Sequence, residues 1–117
     1  MFFTMAKMRA PILAIGAALA LAACGGPNQA RPPSIHTIVI DQLAFSPKVT
    51  TANTGDLIVW VNKDILRHSA TDPNGAFDVD LPAGASAKTV LKQAGSIRYF
   101  CRYHPNMTGT VSVAEKG

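Results

Sequence analysis

The chain is short of cysteine, of clustered charge and of long apolar runs, and each shortage excludes something. Two cysteines, Cys24 and Cys101, occur in 117 residues. If one is committed elsewhere, the other has no disulfide partner, so no disulfide scaffold is expected. Only 15% of the residues are charged, and no dense Lys/Arg cluster marks a nucleic-acid surface. The apolar run Ile12 to Ala23 is too short to span a bilayer comfortably. No segment sustains a helical period. A phosphate-binding glycine loop, an internal repeat and a Ser/His/Asp set with supporting context are also missing.

What the N-terminus does contain is a targeting pattern. Lys7 and Arg9 precede the apolar run, which ends in Leu21-Ala22-Ala23-Cys24-Gly25. Leu-Ala-Ala-Cys resembles the lipobox of bacterial lipoproteins. That resemblance implies a signal peptide over 1–23 and an acylated Cys24 as the first mature residue. Gly25 follows the cysteine instead of Asp, which in similar lipoproteins permits export to the outer membrane. The expected location is therefore periplasmic and lipid-anchored, with the outer membrane favoured over the inner. Losing Lys7 and Arg9 takes two charges from a formal +4, leaving a mildly basic protein. Residues 24–34 contain Gly-Gly-Pro and Pro-Pro and read as a flexible tether. Residues 35–117 form one small domain.

From Ile35 onward, short β-branched runs alternate with turns. Strands are expected over 35–41, 49–51, 57–62, 68–71, 77–81, 87–91, 96–101 and 109–113, with a break at Phe45 to Lys48. Asn53-Thr54-Gly55-Asp56 and Asp72-Pro73-Asn74-Gly75 read as turns, and Trp60 as a core anchor. About eight short strands in such a length predict an all-β, Greek-key β-sandwich.

The chemistry is concentrated at Tyr99-Phe100-Cys101-Arg102-Tyr103-His104-Pro105-Asn106-Met107-Thr108-Gly109. A thiolate, an imidazole and a thioether stand at C-x2-H-x2-M spacing. Soft sulfur favours Cu(I), and imidazole suits both Cu(I) and Cu(II). His68 is preferred over His36 as the second imidazole, because it follows a loop that can sit beside the Cys–Met loop. His36 reads as a strand or surface histidine near the tether. Two His, one Cys and a weak Met are the donors of a blue-copper site. Structural zinc rarely uses thioether and asks for more thiols than this chain offers. A Cys–His nucleophile lacks its orienting third group.

These features together are similar to the cupredoxins of the plastocyanin, pseudoazurin and amicyanin group. The matching residues are Phe45-x-Pro47, Gly55-Asp56-x-x-x-Trp60-x-Asn62, His68, Phe77, Gly95 and Tyr99-x-Cys101-x-x-His104-Pro105-x-Met107-x-Gly109. The resemblance implies copper ligands His68, Cys101, His104 and Met107 on an eight-stranded Greek-key sandwich that carries one electron at a time. Two positions depart from the family. Ser69 replaces the usual Asn after the first histidine, and Arg102 replaces a small hydroxylated residue after the cysteine. In the relatives the Asn side chain ties the two ligand loops together. Here the Ser69 N–H is left to reach the Cys101 sulfur.

The expected function is electron transfer by a monomer that is not an enzyme. One copper ion cycles between Cu(II) and Cu(I). The expected partner is a redox protein, such as a c-type cytochrome or a copper enzyme. Copper delivery, or service as an accessory subunit of a larger copper redox enzyme, is the alternative. Arg67 and Arg102 flank ligands in sequence and suggest a basic docking rim for an acidic partner.

Overall fold

A computed structural model describes Gly16 and residues 31–116 of the chain. Apart from Gly16, the expected signal segment and the lipid-bearing Cys24 lie outside the described residues. Nine strands occur among the described residues: β1 Ile35–Asp41, β2 Ala44–Ser46, β3 Val49–Asn53, β4 Leu57–Asn62, β5 His68–Thr71, β6 Asp78–Leu81, β7 Ser86–Val90, β8 Gly95–Phe100 and β9 Thr108–Ala114. They form two mixed sheets, in the orders β2-β1-β4-β7 and β3-β9-β8-β5-β6. Among the described residues no helix is long and apolar enough to cross a membrane.

Strand alternation builds the core. Ile38 and Ile40 of β1 and Ile58 and Trp60 of β4 point inward from one sheet, and Tyr99, Val111 and Val113 are buried in the other. Trp60, fully buried as expected, packs among Phe45, Phe77 and Tyr99 with ring centroids 5.2–6.3 Å away. Edge-on contacts of this kind suit the charge distribution of aromatic rings.

The strand absent from the sequence reading is β2, in the segment expected to be a break. It pairs antiparallel with β1 through Val39–Ser46, Ile40–Phe45 and Asp41–Ala44. Its two-residue turn puts Gln42 and Leu43 at φ of 51° and 59°. Such a turn matches the strand twist but favours Asn or Gly. The Asp64 carboxylate offsets the cost by accepting the Gln42 and Leu43 N–H groups at 2.8 and 3.0 Å.

Strands β1 and β4 run parallel, from Ile35–Leu57 to Ile40–Asn62. The end where β1 begins is therefore opposite the end where β4 leads into the His68 loop. Asp56 fastens that first end. Its buried carboxylate accepts the Ser34 and Asn53 N–H groups at 3.0 and 2.9 Å and meets His36 Nε2 at 2.9 Å. The bond from His36 and the two amides hold Asp56 down, from the usual 3.8 to about 2, against the opposing effect of burial. A carboxyl depressed in the folded state stabilises fully above its unfolded pKa and loses that contribution as pH falls through its folded one. Denaturant midpoints should therefore drop more steeply between pH 4 and pH 2 in the wild type than in Asp56→Asn. Parallel curves would show that this carboxylate contributes nothing to acid stability.

Candidate metal centre

Three loops meet at the other end of the sandwich. Cys101 follows directly on β8, and Met107 immediately precedes β9. The segment between them closes on itself. His104 N–H donates to the Cys101 carbonyl at 3.2 Å, Met107 N–H to the His104 carbonyl at 2.8 Å, and Cys101 N–H to the Met107 carbonyl at 3.1 Å. This compact loop brings Cys101 and His104 together, while β5 supplies His68.

Cys101 Sγ lies 3.6 Å from His68 Nδ1 and 3.8 Å from His104 Nδ1. The donor atoms of all three residues fall within 4.8 Å of one another. A metal ion bonds imidazole nitrogen and thiolate at about 2.0–2.3 Å, so an ion centred in such a triangle needs donor separations of roughly 3.5–4 Å. The two sulfur–nitrogen separations fit. Cys101 and His68 are fully buried, whereas His104 is partly exposed. Met107 is buried beside them in sequence, and its backbone helps close the loop. His36 is not in this cluster and pairs with Asp56 instead.

The surroundings orient the donors. His68 Nε2 lies 2.8 Å from Asp64 Oδ2, which leaves Nδ1 for the metal. Asp64 is held below the ordinary carboxylate range, chiefly by the Leu43 amide, with His68 and the Gln42 amide adding to it. A carboxylate behind a ligand histidine fixes the ring and raises its basicity. Nothing in the sequence marked Asp64 beyond its place four residues before His68. Asn62 steadies the same loop by donating from Nδ2 to the Leu66 and Leu81 carbonyls at 2.8 and 2.9 Å.

The Ser69 N–H donates to Cys101 Sγ at 3.3 Å, as the sequence allowed. A side-chain link to the loop is present as well: Ser69 Oγ accepts the Arg102 N–H at 2.8 Å. Gly109 leaves room for a neighbouring ring. A Cβ there would stand 2.3 Å from Tyr99 Cζ and Oη, so the ring fills the space that a side chain would need.

The family described as the cupredoxin-like domain matches residues 11–113. The chain belongs to the cupredoxins. It is 27% identical over 88 residues to amicyanin of Paracoccus versutus, covering 70% of this chain and 67% of that one. It is 32% identical over 90 residues to plastocyanin of Nostoc punctiforme, covering 61% of this chain and 65% of that one. The cupredoxin thus spans about two thirds of the length of the curated relatives it matches. Among solved structures, an oxidised amicyanin variant superposes with TM-score 0.62 at 19% identity, over 67% of this chain and 80% of that one. A copper-containing nitrite reductase from Thermus scotoductus gives 0.64 at 25% identity, over 75% of this chain and 24% of that one. The two-sheet cupredoxin sandwich is therefore the fold, and His68, Cys101 and His104 form a candidate copper site within it.

Proposed function

We propose that this cupredoxin carries single electrons through one copper ion held by His68, Cys101, His104 and Met107. The observation that carries the proposal is the triangle of two Nδ1 atoms and one Sγ at separations suited to a single ion. Bound copper supplies two oxidation states, Cu(II) and Cu(I). The protein's part is to hold its donors still. Asp64 fixes the His68 ring, the Ser69 N–H steadies the sulfur, and Pro105 restricts the loop that carries His104. Four protein donors leave no open position for a substrate, so the reading is a carrier and not an enzyme. Reductive titration of the copper-loaded protein should consume one electron per chain and reverse fully on reoxidation. Uptake of no electron, or irreversible loss of copper on reduction, would support copper delivery instead.

We read Cys24 as the lipid attachment site and residues 24–34 as the tether, with the protein periplasmic and outer-membrane anchored. Within the domain, the end that receives Ser34 is opposite the metal end.

The electron's exit in this reading is the edge of His104. It lies in a surface groove with Leu43, Tyr103, Pro105, Asn106 and Met107. The basic rim expected from Arg67 and Arg102 takes a different form, because each arginine has an aspartate partner. Arg67 is bonded to both Asp80 oxygens, and Arg102 Nη1 reaches Asp78 Oδ2 at 3.2 Å. Tyr103 stands between, 5.7 and 5.9 Å from the two guanidinium carbons, with its hydroxyl on Asp80 at 3.2 Å. Strand β6 contributed both acids, which adjacency in sequence to Arg67 and Arg102 did not reveal. A rim matched within itself offers little steering to a charged partner. Stopped-flow electron transfer to an acidic c-type cytochrome should change less than about twofold as the Debye length falls from about 30 to 8 Å. Asp80→Asn frees Arg67 and should introduce a rate that falls with salt. A steep salt slope in the wild type would restore the basic rim.

A further inference from the structure

The departure at Ser69 has a replacement built from three other residues. Ser69 Oγ accepts the Arg102 N–H at 2.8 Å and lies 2.9 Å from Thr71 Oγ1. Thr71 Oγ1 donates to Asp78 Oδ1 at 2.9 Å. Asp78 Oδ2 accepts from Arg102 Nη1 at 3.2 Å. The chain of bonds is therefore a closed ring that begins and ends on Arg102.

Its proton order is fixed by chemistry. An ionised carboxylate only accepts, so the Thr71 hydroxyl is spent on Asp78. Thr71 Oγ1 must then accept, and the Ser69 hydroxyl donates to it. Ser69 Oγ is left to accept the Arg102 N–H. Every member is satisfied in this one arrangement. A buried hydroxyl without a partner is costly, and Ser69 is fully buried with Thr71 nearly so. The register explains how the parts meet: β5 and β6 pair antiparallel, with Thr71 opposite Asp78.

We propose that the Asp78–Thr71–Ser69 relay positions the metal-binding loop, taking over the task of a single amide side chain. The proposal rests on the copper reading of the site. Ser69 then acts twice. Its backbone N–H holds the Cys101 sulfur, and its hydroxyl holds the residue after Cys101. A half-exposed carboxylate on edge strand β6 is thereby connected to the thiolate's surroundings. Asp80 is the natural control. It too lies on β6 and pairs with an arginine, Arg67, but its bonds run to Arg67 and Tyr103 and none joins the relay.

The test compares copper-loaded Asp78→Ala, Asp80→Ala, Thr71→Val and Thr71→Ser. The readouts are the sulfur-to-copper absorption band, the copper hyperfine splitting in EPR, and the rate of Cu(I) loss to a chelator. Removing partners around ligands typically costs 10–100-fold in metal affinity. Asp78→Ala and Thr71→Val should each speed Cu(I) loss at least about tenfold and shift band and hyperfine splitting alike. Thr71→Ser keeps the hydroxyl, and Asp80→Ala leaves the relay whole, so both should stay within about twofold of wild type on the same scale. The double variant Asp78→Ala/Thr71→Val should be no worse than Thr71→Val alone, because members of one network are not additive. Asp78→Ala matching Asp80→Ala in every readout, or additive losses in the double variant, would overturn the relay. Should Thr71→Val fail to fold, the exposed Asp78 and Asp80 pair still decides. A wild type that binds no copper would defeat the copper reading itself, a result separate from either.

Discussion

Replacing Cys101 by serine should abolish the intense visible absorption of the copper-loaded protein and leave the sandwich folded. The colour of such a site comes from charge moving from thiolate sulfur to Cu(II). A serine hydroxyl is a hard donor that stays protonated near neutral pH and gives no such band. Cys101 is the sulfur at which both histidine Nδ1 atoms converge, at 3.6 and 3.8 Å. Serine is close in size to the buried cysteine, and the strand pairing there is made by backbone groups. Cys101 stands just outside β8, and its N–H bond to Met107 is made by the backbone. Absorbance after copper loading and far-ultraviolet circular dichroism check the two halves of the expectation. A visible band that survives in Cys101→Ser would assign the colour to another group.

Gly109→Ala should be among the most destabilising single changes in the domain. The added Cβ would meet Tyr99 Cζ and Oη at 2.3 Å. Tyr99 is 1% exposed and hemmed in by Phe45 and Trp60, at centroid distances of 4.8 and 5.2 Å. The ring therefore has nowhere to swing, and β8 must part from β9. Overpacking of this kind costs about 1–3 kcal/mol. In a domain of this size each kcal/mol lowers the thermal midpoint by roughly 4–8 °C. The damage should reach the metal loop, since Tyr99 and Gly109 pair across β8 and β9 just before and just after it. Copper affinity should fall with the midpoint. Tyr99→Leu in the same chain should recover part of the loss. A midpoint equal to wild type would mean that the Tyr99 ring does not occupy this space.

The candidate site of His68, Cys101 and His104 was legible in the sequence mainly because its strongest signal is local. Cys101, His104 and Met107 share one short loop, and their donor types are informative at any spacing that lets a loop close. The sandwich was legible for the same reason, with inward residues alternating along Leu57–Asn62 and Thr108–Ala114. What escaped depends on partners distant in sequence. The hairpin from β1 to β2 reads as a break because Gln42 and Leu43 are poor turn residues. Asp64, about twenty residues away, makes the turn possible. Thr71 and Asp78 look like ordinary polar residues of strands until the register of β5 and β6 brings them together. The pairing of the rim arginines was hidden in the same way: the sequence shows Arg67 and Arg102 beside the ligands and hides the aspartates of the neighbouring strand.

Electron paramagnetic resonance of the oxidised protein, reconstituted with one equivalent of copper, tests the central claim most directly. Two imidazoles and one thiolate around a single ion predict one Cu(II) per chain with an unusually small copper hyperfine splitting, because the unpaired electron is shared with Cys101 sulfur. A large splitting from a square-planar nitrogen and oxygen site, with no strong visible band, would contradict the account.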